Sequence, residues 1–179
     1  MITKLSHTSL FVSDVNKAFD FYVNKLGFRV HTDVPMDDGS RWLTITTPDN
    51  PDQEIVLMGI PGEKNGYDAE AQQALKTLLD KEKMGAGVLY TADCQSTYEE
   101  LKAKGVSITE PKEQFYGTEC IIKDGCGNWF SMCQPKEGFW YLRRIYSQFF
   151  FLSLANFVLI HVSNMKGKLI LLFSCLLLT

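Results

Sequence analysis

One order of elements is written twice in this chain, at an offset of 79 residues. In the first copy Leu5, His7, Ser9 and Phe11 share one face of an extended run, and Thr8, Leu10 and Val12 share the other. Asp14 is placed to cap a helix in which Val15, Ala18, Phe19, Tyr22, Val23 and Leu26 recur at helical spacing, and Gly27 is placed to end it. Strands are predicted over 28–32, 41–46 and 54–58. The turn text between them is Asp37-Asp38-Gly39 and Pro48-Asp49-Asn50-Pro51. In the second copy a strand over 86–92 leads to Asp93, the counterpart of Asp14. Cys94, Thr97, Tyr98 and Leu101 then take the places of Val15, Ala18, Phe19 and Tyr22, and Gly105 ends the helix one residue early. Strands follow over 106–109, 120–123 and 128–133. A linker helix over 68–83, with Ala71, Ala74, Leu75, Leu78 and Leu79 as its apolar stripe, joins the copies.

One helix on a small sheet offers too little core to stand alone, so the copies must fold together. The expected class is α+β: two βαβββ modules whose curved mixed sheets enclose a shared cavity, followed by an apolar C-terminal tail. The repeats cover about 4–59 and 85–134, inside a domain of residues 1–136. Hydrophobic residues at 45% and charged residues at 22% are ordinary for a globular protein and exclude disorder and a disulfide mini-scaffold. Charge is unevenly spread. Residues 1–136 hold 14 of the 18 Lys and Arg and 20 of the 21 Asp and Glu. No basic run marks a nucleic-acid footprint, so no nucleic-acid partner is expected.

From Glu137 onward the sequence changes character. Residues 145–165 contain no Asp, Glu, Lys or Arg and are just long enough to span a bilayer, with Arg143 and Arg144 before them. Three readings of 137–179 stand side by side: a membrane anchor, a non-native extension, or an added soluble helix. Any membrane association is expected through this tail alone. Residues 1–7 lack the apolar core of a signal peptide, and five cysteines without a CxxC pair make neither a disulfide framework nor a zinc ribbon. A reducing cytoplasm is the expected location. Gly59-Ile60-Pro61-Gly62 is a loop and not a phosphate cradle.

Several stretches together resemble the vicinal oxygen chelate superfamily, which includes glyoxalase I, extradiol dioxygenases, fosfomycin-resistance enzymes and bleomycin-binding proteins. They are Leu5-Ser6-His7 leading to Asp14, Ala18-Phe19-Asp20-Phe21-Tyr22, Lys25-Leu26-Gly27-Phe28, Tyr98-Glu99-Glu100-Leu101 through Gly105-Val106, and Asp124-Gly125-Cys126-Gly127-Asn128-Trp129-Phe130. Arg41-Trp42-Leu43, Glu54-Ile55-Val56-Leu57-Met58 and Gly127-Asn128-Trp129-Phe130-Ser131 look most like its small bacterial glyoxalase-like branch. The resemblance covers about residues 2–136. One departure is the family's Asp-Pro-x-Gly turn, here Asp124-Gly125-Cys126-Gly127, which is expected to be looser.

The resemblance implies four metal-ligand positions, on the first and last strand of each repeat. They fall on His7, on Glu54 or Val56, on Ala86 and on Ser131. His7 and Glu54 are the only metal candidates, and Ala86 and Ser131 are poor ligands, so no tight divalent site is expected. If the protein is catalytic, the family implies Zn, Ni, Mn or Fe. His7 is then base or ligand, and Glu54 is its partner. Phe11, Trp42, Trp129 and Ser131 are the candidate substrate contacts. His7, Ala86 and Ser131 are expected to face one cavity. Cys133 reads as a buried inert thiol, and His31 and His161 have no partner at recognisable spacing. Two functions remain open. One is a lyase or isomerase, or a ring-cleaving oxygenase, acting on a substrate with vicinal oxygens. The other is a non-catalytic antibiotic- or toxin-binding protein of the bleomycin-binding type. The resemblance also implies a homodimer.

Overall fold

Among the described residues, three aspartates start the three α-helices. The Asp14 carboxylate accepts hydrogen bonds from the Asn16 and Lys17 amides at the head of α1 (Val15–Phe19). Asp68 accepts from Ala71 at α2 (Ala69–Asp80), and Asp93 accepts from Ser96 at α3 (Cys94–Ala103). Each satisfies amides that have no partner in the first helical turn. α1 widens into a π-type coil over Asp20–Lys25, closed by the Leu26 amide on the Phe21 carbonyl at 3.0 Å. The wider turn lets Phe21 and Tyr22, neighbours in sequence, both point inward.

The computed structural model describes residues 1–138 with the exception of Asp38. All three readings of the tail, and His161, therefore lie outside the described residues. The first module consists of β1 (His7–Phe11), α1, β2 (Arg29–Pro35), β3 (Arg41–Thr47) and β4 (Asn50–Met58), in sheet order β1-β4-β3-β2. The second consists of β5 (Met84–Tyr90), α3, β6 (Ser107–Ile108), β7 (Lys112–Gln114), β8 (Gly117–Lys123) and β9 (Asn128–Pro135). Its order is β5-β9-β8-β6, with β7 also on β8. β1 runs parallel to β4, β5 runs parallel to β9, and the remaining pairs are antiparallel. The fold is the expected pair of βαβββ modules.

The differences from expectation are local. The turn narrows to Pro48-Asp49, because Thr47 already pairs with Asn50. Pro51 then sits near the start of a strand, where the missing N–H costs least. β5 begins at Met84, α2 ends at Asp80, and the three-residue β7 was not foreseen.

One apolar core joins the modules. Leu10, Val12, Leu43, Ile45 and Leu57 of the first sheet and Cys120, Ile122, Phe130 and Met132 of the second pack with Ala18, Phe21, Tyr22, Tyr98 and Leu101 of the helical segments. The core helices α1 and α3 lie on this side, and the opposite faces of both sheets are free of them. The modules are also tied by a polar knot. The buried Asp124 carboxylate accepts from the Tyr22 hydroxyl at 2.8 Å, the Cys126 amide at 2.7 Å, the Asn128 amide at 2.9 Å and Asn128 Nδ2 at 2.8 Å. Asn128 Nδ2 also donates to the Phe11 carbonyl, and the Ser13 amide donates to the Cys126 carbonyl. Burial, with Asp124 alongside, pushes the Tyr22 phenol far above its ordinary pKa, so it stays a donor. The turn expected to be loose is therefore held by many bonds. Its Gly125 lies at φ +65°, which the family's proline could not adopt. Gly127, at φ +113°, passes so close to α2 that a Cβ would stand 2.7 Å from the Leu79 Cα.

Candidate functional site

Strand register decides which side chains share a face. His7 pairs with Glu54, Ser9 with Val56 and Phe11 with Met58 across β1 and β4, and Thr44 pairs with Val56 across β3. Their alternates, Leu10, Leu57 and Ile45, lie in the core, so His7, Glu54, Thr44 and Trp42 occupy the helix-free face of the first sheet.

Glu54 is the hub of that face. Its Oε1 lies 3.2 Å from His7 Nε2 and its Oε2 lies 3.0 Å from His31 Nδ1. The buried Thr44 hydroxyl also hydrogen-bonds it. That bond is the largest influence holding the Glu54 carboxyl below the usual glutamate range, with the two histidines adding to it. The Glu54 side chain is 15% exposed, against 41% for His7 and 51% for His31, so the carboxylate lies beneath two accessible imidazoles. His7 Nδ1 lies 2.9 Å from Ser6 Oγ, and the His7 ring stands 6.3 Å from the Trp42 ring at a tilt of 49°. The expected pairing of His7 with Glu54 is present.

His31 is a correction: it has a partner. The register of β2 against β3 shifts between Val30 and Thr32, and His31 is the extra residue. A bulge re-aims the side chain it carries, here onto Glu54. Nothing in the local sequence signals that bulge.

On the second sheet β9 presents Trp129, Ser131 and Cys133 away from the core, opposite Lys123, Ile121 and Glu119 of β8. Ser131, 9% exposed, donates a hydrogen bond to Glu119, and the Tyr116 hydroxyl bonds the same carboxylate. Burial raises the pKa of the Cys133 thiol, as expected of an inert cysteine. Ala86 is a second correction. β5 shifts register between Gly85 and Gly87, and the bulged Ala86 packs against the core and not on the face that carries Ser131. Trp129 lies over Gly85, where a Cβ would meet its ring at 2.9 Å.

Trp42 and Trp129 are 36% and 37% exposed, which leaves part of each indole open to a ligand. Phe11 is half-buried, edge-on to Tyr67 at 6.0 Å between centroids. A separate cavity of about 740 Å³ lies on the other side of the sheets, lined by Thr8, Phe28, Ile55, Leu89, Phe130 and Met132 among others. None of the predicted catalytic or substrate-contact residues lines it.

Two of the four implied metal positions lack a good donor: Ala86 offers only a methyl in the core, and the Ser131 hydroxyl is hydrogen-bonded to Glu119, while Glu54 lies within 3.2 Å of His7 and 3.0 Å of His31. Among the described residues no group of three or more His, Cys, Asp or Glu is arranged to hold a metal ion.

Fold, doubled module and site placement define a class, and the sequence comparison agrees. Residues 4–132 match the Glyoxalase/Bleomycin resistance protein/Dioxygenase superfamily, and the chain belongs to it. It is 36% identical over 132 residues to the uncharacterized protein YurT of Bacillus subtilis (strain 168), covering 73% of this chain and 98% of that one. Among solved structures it is similar to UcmS2 (38% identity, TM-score 0.67, 74% of this chain and 98% of that one). It is also similar to TnmS3, an antibiotic binding protein from Streptomyces sp. CB03234 (27% identity, TM-score 0.59, 75% and 98%). No helix among the described residues is long and apolar enough to cross a membrane.

Proposed function

We infer that the chain binds a flat small organic molecule on the helix-free faces of its sheets and releases it unchanged. The observation that carries this reading is the combination of two part-exposed indoles, Trp42 and Trp129, with two family ligand positions, Ala86 and Ser131, that offer no good metal donor. Indoles supply stacking area for a planar ring at little entropic cost. The likeness to TnmS3, an antibiotic binding protein, points the same way.

The test is a titration of the full chain with the planar dye 9-aminoacridine, followed by tryptophan quenching, with recovery of the dye by mass spectrometry. Saturable quenching that weakens about tenfold in Trp42→Ala or Trp129→Ala, with the dye recovered unaltered, is the expected result. Zn, Ni, Mn and Fe salts are expected to leave the melting temperature unchanged. A stoichiometric metal that stabilises the protein would defeat the reading.

A second reading rests on His7 oriented by Glu54, the arrangement a proton-transferring enzyme needs. In that reading His7 is the base in a lyase, an isomerase or a ring-cleaving oxygenase. Conversion of methylglyoxal–glutathione hemithioacetal or catechol, lost in His7→Ala, would select it over simple binding. The working unit in either reading is a homodimer, because β1 and β5 each have a pairing partner on one side only. Light scattering giving a monomer mass at tens of micromolar protein would reject that assembly.

A further inference from the structure

We propose that Glu119 is the recognition point for a positively charged nitrogen on the planar ligand, so that the protein selects aromatic cations over neutral rings of the same shape. The proposal rests on the binding reading above and goes past it to the ligand's charge.

Glu119 sits near the middle of β8, on the helix-free face, in register with Cys133 and, one strand further, with Tyr90. Two neutral hydroxyls hold it, those of Ser131 and Tyr116, and Ser131 is itself nine-tenths buried. These bonds orient the carboxylate without neutralising it. Among the described residues no Lys, Arg or His lies within ion-pair distance of it. Lys112, directly opposite on β7, is exposed and forms no ion pair, and Lys123 on the same face is engaged by Glu82 at 2.7 Å. A half-buried carboxylate with its charge uncompensated attracts a cation more strongly than a surface one, since less water screens it. Trp129 stands on the same face two residues from Ser131 and offers a ring for cation–π attraction. The first sheet differs here, because the charge of Glu54 is shared with two histidines.

The experiment compares two probes of one ring system, 9-aminoacridine, protonated at neutral pH, and acridone, which carries no charge. Each is titrated into the full chain at low and high salt. The expected result is at least tenfold tighter binding of the cation, reduced by salt. In Glu119→Gln the preference should fall to about twofold or less, with acridone affinity unchanged. Lys112→Glu, at an exposed position that does not test the core, should raise cation affinity severalfold and leave acridone alone. If acridone binds as tightly as 9-aminoacridine, or if both substitutions leave the ratio where it was, Glu119 is not the recognition point and the binding reading survives. If neither probe binds, both fall together.

Discussion

One extra residue in a strand does opposite things in the two halves of this molecule. In β2 the bulge at His31 brings an imidazole onto the helix-free face, where it shares Glu54 with His7. In β5 the bulge at Ala86 takes a side chain off the equivalent face and lays it against the core. The first half thereby acquires a polar centre in which one carboxylate answers two imidazoles. The second half keeps a serine and a glutamate that, among the described residues, forms no ion pair. A duplicated module thus preserves its scaffold through caps and core, and its two faces diverge by register slips of a single residue.

The most forceful way to break this comparison is to separate the halves. Asp124→Ala orphans the Tyr22 hydroxyl and the amides of Cys126 and Asn128 in a buried site. It is expected to cost roughly 3 kcal/mol in urea unfolding. A loss under about 0.5 kcal/mol would show that the knot is incidental and that the halves hold together by apolar packing alone.

The bulges themselves come next. Ala86→Asp places a carboxylate against the core and should destabilise by about 2 kcal/mol, whereas His31→Ala should cost about 0.5 kcal/mol or less. Equal effects from the two would mean that the bulged residues share an environment after all.

The smallest effect sharpens the polar centre. The carboxyl of Glu54 ionises more readily folded than unfolded, so its contribution is fully present above the unfolded value and disappears as pH falls through the folded one. Between pH 5.5 and 3.5 the melting temperature of Glu54→Gln should therefore fall less than that of the parent, by on the order of 1–3 °C. Parallel curves would show that Glu54 titrates alike in both states.

Much of the scaffold was legible because it is written in local signals. Asp14 and its counterpart Asp93 are placed to cap, and each does so. Strict alternation put His7 and Phe11 opposite Leu10 and Val12, and Ser131 opposite Phe130 and Met132. What failed to show was whatever depends on a partner strand. A bulge is a mismatch between two strands, so neither His31 nor Ala86 announces it alone. Glu119 fell just outside the apolar run that marks β8, and β7 is Lys112-Glu113-Gln114, with no hydrophobic period to detect. The turn at Asp124 was visible as a departure from the family, but its stiffness comes from Tyr22 and Phe11, more than a hundred residues away.

That turn has a consequence for how such a chain can change over generations. The first half lends a phenol and a carbonyl to a loop of the second, and the loop in turn feeds a carbonyl back to Ser13 and another to Lys17 Nζ at 2.7 Å. Whatever single-module ancestor the repeat implies, its descendants here have ceased to be spare parts for one another. A recombination that exchanged only one half with a relative would have to import the matching tyrosine and aspartate together. The smallest unit this lineage can trade is the joined pair.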